Sequence, residues 1–309
     1  MAQREIFPVG AQGNGSTLEW IVRLPAASGD AATHTGLVLL AHGCRQSPRV
    51  WFAPSDGCAA CVSPRPEERC IALHLHAAGY ALVAASNPLH GTKGCWETAD
   101  VPIVAGRLRA WQKQHENKAL RGAPLFVLGP SSGGFFATQF ARHVRDVRAI
   151  SIQVSVPSMT DVRGLPPAVE IILMSRDAGK VRDASALQRA LGKRIRVRIA
   201  KPQPVYDAYF AEGIPGLSLI ASRAVRAELV RAGYVEEVTS LVRTHPSRGQ
   251  WAAAVRRGLS GQPKATSLPL ASLQVALDSI FARLDLAYAY HASTCAFIND
   301  TLDFFRTAA

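Results

Sequence analysis

The chain has 309 residues, of which 48% are hydrophobic and 19% charged. That is ordinary for a soluble globular protein and enough to bury one large core, or one core carrying an insertion. The longest apolar run of note, residues 70–86, is interrupted by two histidines and Gly79 and stops at Asn87-Pro88, so it reads as a helix end plus a buried strand, and no transmembrane segment is expected. The net charge of +12 gathers between residues 182 and 264, where fifteen Lys and Arg stand against six Asp and Glu. A solvated basic helical surface is the simplest reading; nucleic acid, anionic lipid or an acidic substrate are the partners such a stretch would attract. It holds no recognisable nucleic-acid module, so nucleic acid is not expected as a partner.

In chain order, residues 18–25 alternate apolar and polar like an early antiparallel strand, and 36–42 form a short continuous apolar run, as a strand buried on both faces requires. A helix is predicted over 66–78, opened by Pro66 with Glu67 and Glu68 in its first turn, where the helix dipole favours acids. Strand 80–86, helix 101–118, strand 124–129, helix 132–144, strands 149–155 and 168–174, helix 182–191 and strand 194–200 follow. This alternation predicts a mostly parallel, doubly wound α/β sheet with helices on both faces. Residues 201–283 break the rhythm with helical segments at 218–232, 234–243 and 248–258, and a closing helix is read over 291–305. The expected organisation is a core of 1–200 and 284–309 with a helical insert, 201–283.

Five of the six cysteines (Cys44, Cys58, Cys61, Cys70 and Cys95) cluster in one segment, with Cys295 far away. Zinc at the Cys58-Ala-Ala-Cys61 pair would need a second ligand pair, and no other CxxC or HxxxH is present. Structural disulfides are the favoured reading, with buried thiols and then metal or redox chemistry as the alternatives, and their pairing stays open. The opening residues lack the apolar core of a signal peptide. The expectation is a soluble protein, either cytosolic or a secreted mature form.

The stretch "LFVLGPSSGGFFA", Leu125 to Ala137, carries the chemistry. A serine hydroxyl is a poor nucleophile until a base takes its proton. In a G-x-S-x-G nucleophile elbow the serine sits on a strained strand-to-helix turn, and glycines two residues before and after it avoid a collision across the turn. Gly129 and Gly133 fill those places around Ser131. Ser132 then opens a helix, and its backbone N–H is a candidate oxyanion-hole donor. Such a motif matches by chance in about one chain in ten of this length, so its place between a buried strand and a helix is what gives it weight. The second donor should follow an earlier strand, which points to the N–H of Cys44 or Arg45 after His42-Gly43. An acid should follow a later strand, which points to Asp177, with Asp161 as the rival. The base should come last. His291 fits that order and His245 is its rival, whereas His34, His42, His74, His76, His90, His115 and His143 precede the serine or closely follow it. Ser132 as nucleophile would lack the upstream glycine.

This order of "HGC", "GPSSGG", a strand-borne Asp and a His before the last helix resembles the α/β-hydrolase superfamily. More narrowly, "HGC", "CAAC", "PRPEER", "GCW", "GPSSGGFF", "SRD" and "AYAYH" together are similar to a eukaryotic branch of it, over roughly residues 35–305. The resemblance implies Ser131 as nucleophile, Asp177 as acid, His291 as base, and oxyanion donors at Cys44 and Ser132. Pro130 before the serine, the long gap from Asp177 to His291 and the late position of the insert depart from the superfamily's usual pattern. The implied function is a serine hydrolase acting on a small-molecule carboxylic ester, with water completing the cycle and no cofactor or metal required. A peptidase or acyltransferase with the same triad is the alternative, as is a non-catalytic scaffold that binds anionic partners through its basic insert.

Overall fold

The computed structural model describes residues 2–8, 17–25, 35–62, 64–89, 94–114, 120, 122–162, 164–166, 168–246, 249–260 and 273–309. His34, His90 and His115, the last turn of the helix expected over 101–118, and residues 261–272 of the expected insert lie outside the described residues. The strands are β1 (Ala2–Pro8), β2 (Thr17–Arg23), β3 (Gly36–Ala41), β4 (Tyr80–Ala85), β5 (Leu125–Pro130), β6 (Val147–Gln153), β7 (Ala168–Met174) and β8 (Ile195–Ala200). The helices are α1 (Pro66–Ala77), α2 (Asp100–Lys113), α3 (Ser132–His143), α4 (Ala178–Leu191), α5 (Tyr209–Gly213), α6 (Leu219–Arg231), α7 (Trp251–Ser260), α8 (Leu273–Tyr288) and α9 (Ile298–Ala308). They divide into two compact units. The first is Met1–Leu173 with Gly179–Ile199 and Ser293–Ala309; the second is Met174–Ala178 with Ala200–Ala292.

The first unit is built on one eight-stranded sheet in the order β1-β2-β4-β3-β5-β6-β7-β8. β1 with β2 and β2 with β4 are antiparallel, whereas the pairs β3–β4, β3–β5, β5–β6 and β6–β7 are parallel. Every residue of β3 is fully enclosed. Leu37, Leu39 and Ala41 point into a core shared with Val104 of α2, Phe136 and Phe140 of α3, and Leu187 of α4. Val38 and Leu40 point the other way, toward Ile71 and Leu75 of α1 and Phe305 of α9. A strand with helices on both sides has no polar face, which is why its sequence reads as an unbroken apolar run. Each such Leu or Val contributes about 1.5–3 kcal/mol by leaving water. On the α1 and α9 side, Phe305 stacks on Phe126 at 4.5 Å, and Tyr80 meets both rings edge-on. With its order and crossovers, this is the α/β-hydrolase fold.

The second unit packs α5, α6, α7 and α8 around a separate core that includes Tyr209, Phe210, Val225, Val255, Ile280 and Leu284. Residues 234–243, expected as a helix, instead double back. Val235 and Val242 form an antiparallel bridge, Glu236 N donates to Leu241 O at 3.0 Å and Arg243 N to Tyr234 O at 2.9 Å. Only the two valines at the ends of this turn are drawn into the core, Val238 at its tip is exposed, and Ser240 takes a positive φ of 57°. The seven-residue spacing of those valines imitates a helix period without supplying a buried stripe. Other elements differ from the sequence expectation, β1 and α5 among them. α8 occupies a stretch where no element was expected, and the closing helix starts at Ile298, so His291 lies in the loop before it. Among the described residues, no helix is long and apolar enough to cross a membrane.

Candidate active site

β5 ends at Pro130 and α3 begins at Ser132, leaving Ser131 alone at the turn with φ 53° and ψ −117°. An L-residue with a side chain occupies that region at a cost of about 1–3 kcal/mol, and only where its surroundings fix it. They do so here. Ser131 N donates to Gln153 O at 2.8 Å, while Ser131 O accepts from Gly134 N at 3.0 Å and Phe135 N at 3.2 Å. A Cβ at Gly129 would land on the backbone of Gly133, and one at Gly133 would land on the carbonyls of Ala41 and His42. The two glycines therefore let the start of α3 lie directly against the end of β3. As the first residue of α3, Ser132 has a backbone N–H with no partner inside the helix, at the positive end of the helix dipole. Its own hydroxyl oxygen is enclosed and meets no hydrogen-bond partner among the described residues.

The loop leaving β3 is held from several sides. Trp96 Nε1 donates to His42 O at 2.8 Å, and the indole packs between the His42 ring at 5.1 Å and Phe136 at 4.0 Å. Gly43 N donates to Gln46 Oε1 at 3.0 Å, and a disulfide joins Cys44 to Cys95. Arg45, with φ 59°, donates its N–H to Gly94 O at 3.0 Å. Of the two backbone donors suggested by the sequence, that of Arg45 is thus committed to the connection before α2. The remaining cysteines pair as Cys58–Cys61 and Cys70–Cys295.

Gln153, at the end of β6 and almost wholly buried, was not singled out by the sequence. Besides receiving the Ser131 N–H on its carbonyl, it grips Thr294 with both ends of its side chain. Its Nε2 donates to Thr294 O at 3.1 Å, and its Oε1 accepts Thr294 N at 2.8 Å. The neighbouring residues are pinned as well. Ser293 Oγ donates to Glu68 Oε1 at 2.9 Å, Cys295 N to Glu67 Oε2 at 2.7 Å, and Cys295 is bonded to Cys70. The strap that begins two residues after His291 is therefore fixed at three consecutive positions. The available signal was a lone amide at the end of a buried apolar strand, which must find partners.

Within the second unit, Asp177 lies just before α4, its N–H donating to Met174 O at 3.0 Å. Its neighbour Arg176 donates its N–H to Ala289 O at 3.0 Å, stacks its guanidinium 4.2 Å over Tyr288, and donates from Nη1 to Val242 O at 3.1 Å. These contacts bring the chain at 176–177 alongside 288–289, two residues short of His291. His245 Nε2 lies 3.4 Å from Asp285 Oδ1, with Tyr288 and Tyr290 edge-on at 5.3 and 5.2 Å. Asp161, in the first unit, pairs with Arg142 at 2.7 Å. Burial works to raise its carboxyl, but hydrogen bonds from Ser158 and Gln139 and the Arg142 charge outweigh this and hold it below its ordinary value.

No family model matches the chain, and no curated protein matches it. Among solved structures it is similar to a dienelactone hydrolase from Anabaena variabilis, at 18% identity over 64% of this chain and 87% of that one, with a TM-score of 0.43. It is also similar to an α/β serine hydrolase without a lid from Xanthomonas campestris (15%, 65% and 84%, TM-score 0.43). A Pyrococcus furiosus esterase gives 12%, 64% and 84%, with a TM-score of 0.45. The assignment of the chain to the α/β-hydrolase fold rests on its own strand order, crossovers and flanking helices.

Proposed function

We propose that this chain is a serine hydrolase that cleaves carboxylic esters through an acyl-enzyme. Ser131 Oγ attacks the ester carbonyl while His291 takes its proton. His291 then returns that proton to the departing alcohol, and a water, activated in the same way, releases the acid. Asp177 orients the imidazole and stabilises its charged form, and the backbone N–H groups of Ser132 and Cys44 hold the oxyanion. The observation that carries the reading is the positive φ of Ser131 at the turn between β5 and α3, flanked by glycines at which a Cβ would overlap neighbouring backbone. Two further features support it. The loops of Asp177 and His291 share the Arg176–Ala289 hydrogen bond, and His245 lies against Asp285 rather than on the Asp177 loop, which supports His291 over His245 as the base.

The test is intact mass after exposure to a fluorophosphonate, a reagent that labels only an activated serine. Wild type should gain one adduct, Ser131→Ala none, and His291→Ala should react far more slowly, with His245→Ala close to wild type. A folded wild-type protein that gains no adduct would overturn the hydrolase reading. Slow labelling in His245→Ala with normal labelling in His291→Ala would move the base.

A further inference from the structure

We infer that, once its disulfide is reduced, the Cys70, His74 and Cys295 cluster is a binding site for a thiophilic divalent cation such as Zn²⁺. Cys70 and His74 stand one turn apart on the same face of α1, and Cys295 reaches them from the strap that precedes α9. His74 Nδ1 lies 3.7 Å from Cys70 Sγ and 4.0 Å from Cys295 Sγ, and the three ligand atoms all fall within 4.8 Å of one another. In a tetrahedral site with Zn–S of about 2.3 Å and Zn–N of about 2.0–2.1 Å, neighbouring sulfur and nitrogen ligands sit about 3.6 Å apart and paired sulfurs about 3.8 Å apart. The imidazole nitrogen is thus already near ligand spacing from both sulfurs.

Only the sulfur–sulfur separation has to open, from a covalent bond to about 3.8 Å. The Cα atoms of the two cysteines stand 6.0 Å apart, and rotation about each Cα–Cβ bond supplies that opening. The fourth position is left to water, beside the Glu67 carboxylate that accepts the Cys295 N–H. The same strap stays held by Thr294 on Gln153 and Ser293 on Glu68, so Cys295 remains in place when its disulfide opens. Access favours this pair over Cys58–Cys61, because Cys70 is partly exposed and His74 exposed while both members of the other pair are buried.

The chemistry balances in two steps. A dithiol attacks one sulfur of Cys70–Cys295, passes through a mixed disulfide and leaves as its own disulfide. The dithiol is oxidised by two electrons, and the protein disulfide is reduced to two thiols that carry the dithiol's two protons. Zn²⁺ then displaces both thiol protons. His74, whose Nδ1 lies 2.9 Å from Cys70 O, turns that nitrogen's lone pair to the metal with its proton moved to Nε2.

The test uses full-length protein with Cys58→Ser and Cys61→Ser, so that this pair cannot compete, and the Cys70→Ser and Cys295→Ser variants separate the site from Cys44 and Cys95, which reduction also frees. It is reduced with a trialkylphosphine, which becomes the phosphine oxide and does not chelate the metal, and titrated with Co²⁺ as the spectroscopic probe. One equivalent should give the thiolate charge-transfer and intense d–d bands of tetrahedral cobalt, displaced by Zn²⁺. Unreduced protein should give none. Cys70→Ser and Cys295→Ser should lose the bands, and His74→Ala, which keeps its disulfide until reduction, should bind at least tenfold more weakly. The inference is overturned by absence of the bands in reduced folded protein, or by bands undiminished in His74→Ala. Unfolding on reduction that Zn²⁺ does not reverse would equally overturn it. None of these outcomes depends on whether Ser131 is a nucleophile.

Discussion

Replacing Gly133 by alanine tests the proposed elbow with one added carbon. The new Cβ would overlap the Ala41 carbonyl and stand 2.8 Å from His42 O, where contacts of carbon with its neighbours settle near 3.5 Å (about 0.7 Å short). Both obstructing groups are backbone at the end of the central strand, and Ala41 and His42 are fully buried, so they cannot give way. The start of α3 must move instead, and Ser131 moves with it. Overpacking of this kind costs about 1–3 kcal/mol, partly offset by alanine's better helix propensity of about 0.5–1 kcal/mol. A net loss of about 1–2 kcal/mol is expected. A displacement approaching 1 Å at Ser131, the proposed nucleophile, should slow fluorophosphonate acylation about a hundredfold. Both are read on one preparation, by urea unfolding with the disulfides intact and by labelling rate. Gly106→Ala is the control: it lies in the middle of α2 with nothing within 4 Å of the added carbon, and it should stabilise by about 0.5–1 kcal/mol without changing labelling. If Gly133→Ala unfolds and labels like wild type, the close approach of α3 to β3 is not what holds the turn, and the reasoning fails.

Three other perturbations follow from the packing. Asp56 accepts hydrogen bonds from Ala53 N, at 2.8 Å, and from Arg69. Burial works to raise its carboxyl, but these bonds and the Arg69 and Arg23 charges prevail and hold it below its ordinary 3.8. Its contribution is therefore present above that pH and lost as pH falls through the lower folded value. Asp56→Ala should cost about 3 kcal/mol at neutral pH and remove that acid-side slope in unfolding free energy against pH. Glu170 behaves oppositely. Burial pushes it above its ordinary 4.5 and outweighs the hydroxyls of Thr301 and Ser151 and the charges of Arg196 and Arg198. The folded state then holds a proton that the unfolded state has lost, so stability should fall as pH rises from 4.5 toward the folded value, and Glu170→Gln should flatten that decline. Among the disulfides, Cys70–Cys295 spans 225 residues and Cys58–Cys61 only 3. Chain entropy gives about 5 kcal/mol for the first and about 1.6 kcal/mol for the second. Paired Cys→Ser variants of each, unfolded in urea, should rank in that order, and the reverse ranking would count against the entropic account.

The sheet was legible because two-sided burial forces unbroken apolar runs: β3, β4 and β5 are buried at every position. The turn at Ser131 was legible because a Cβ at position 129 or 133 would collide with backbone, so glycine is favoured at both. β1 was not, since an edge strand reading AQREIFP pairs through its backbone with β2 and needs no apolar pattern. α8 carries Leu277, Ile280, Leu284 and Ala287 at helical spacing on its buried face, but neighbouring apolar residues all round the helix blur the period. The partners of the polar anchors Gln153, Glu170, Glu67 and Glu68 were invisible for another reason. Each finds its partner far along the chain, as Gln153 does in Thr294 and Glu170 in Thr301, and local sequence does not record such distances.

The strap and α9 also set an order of events during synthesis. Ser293–Ala309 supply Thr294 to Gln153, Cys295 to Cys70, Thr301 to Glu170 and Phe305 to Phe126. Until they have been made, the part of one sheet face that α1 does not cover stands open, with an aromatic pair and a carboxyl awaiting partners. The helical stretch Ala200–Ala292 is made in between, and its own core needs nothing that comes later. The younger unit can therefore consolidate first on the nascent chain while the older sheet waits. The oxidation that joins Cys70 to Cys295 must therefore wait until the strap has been made, well after the sheet strands and the helical unit.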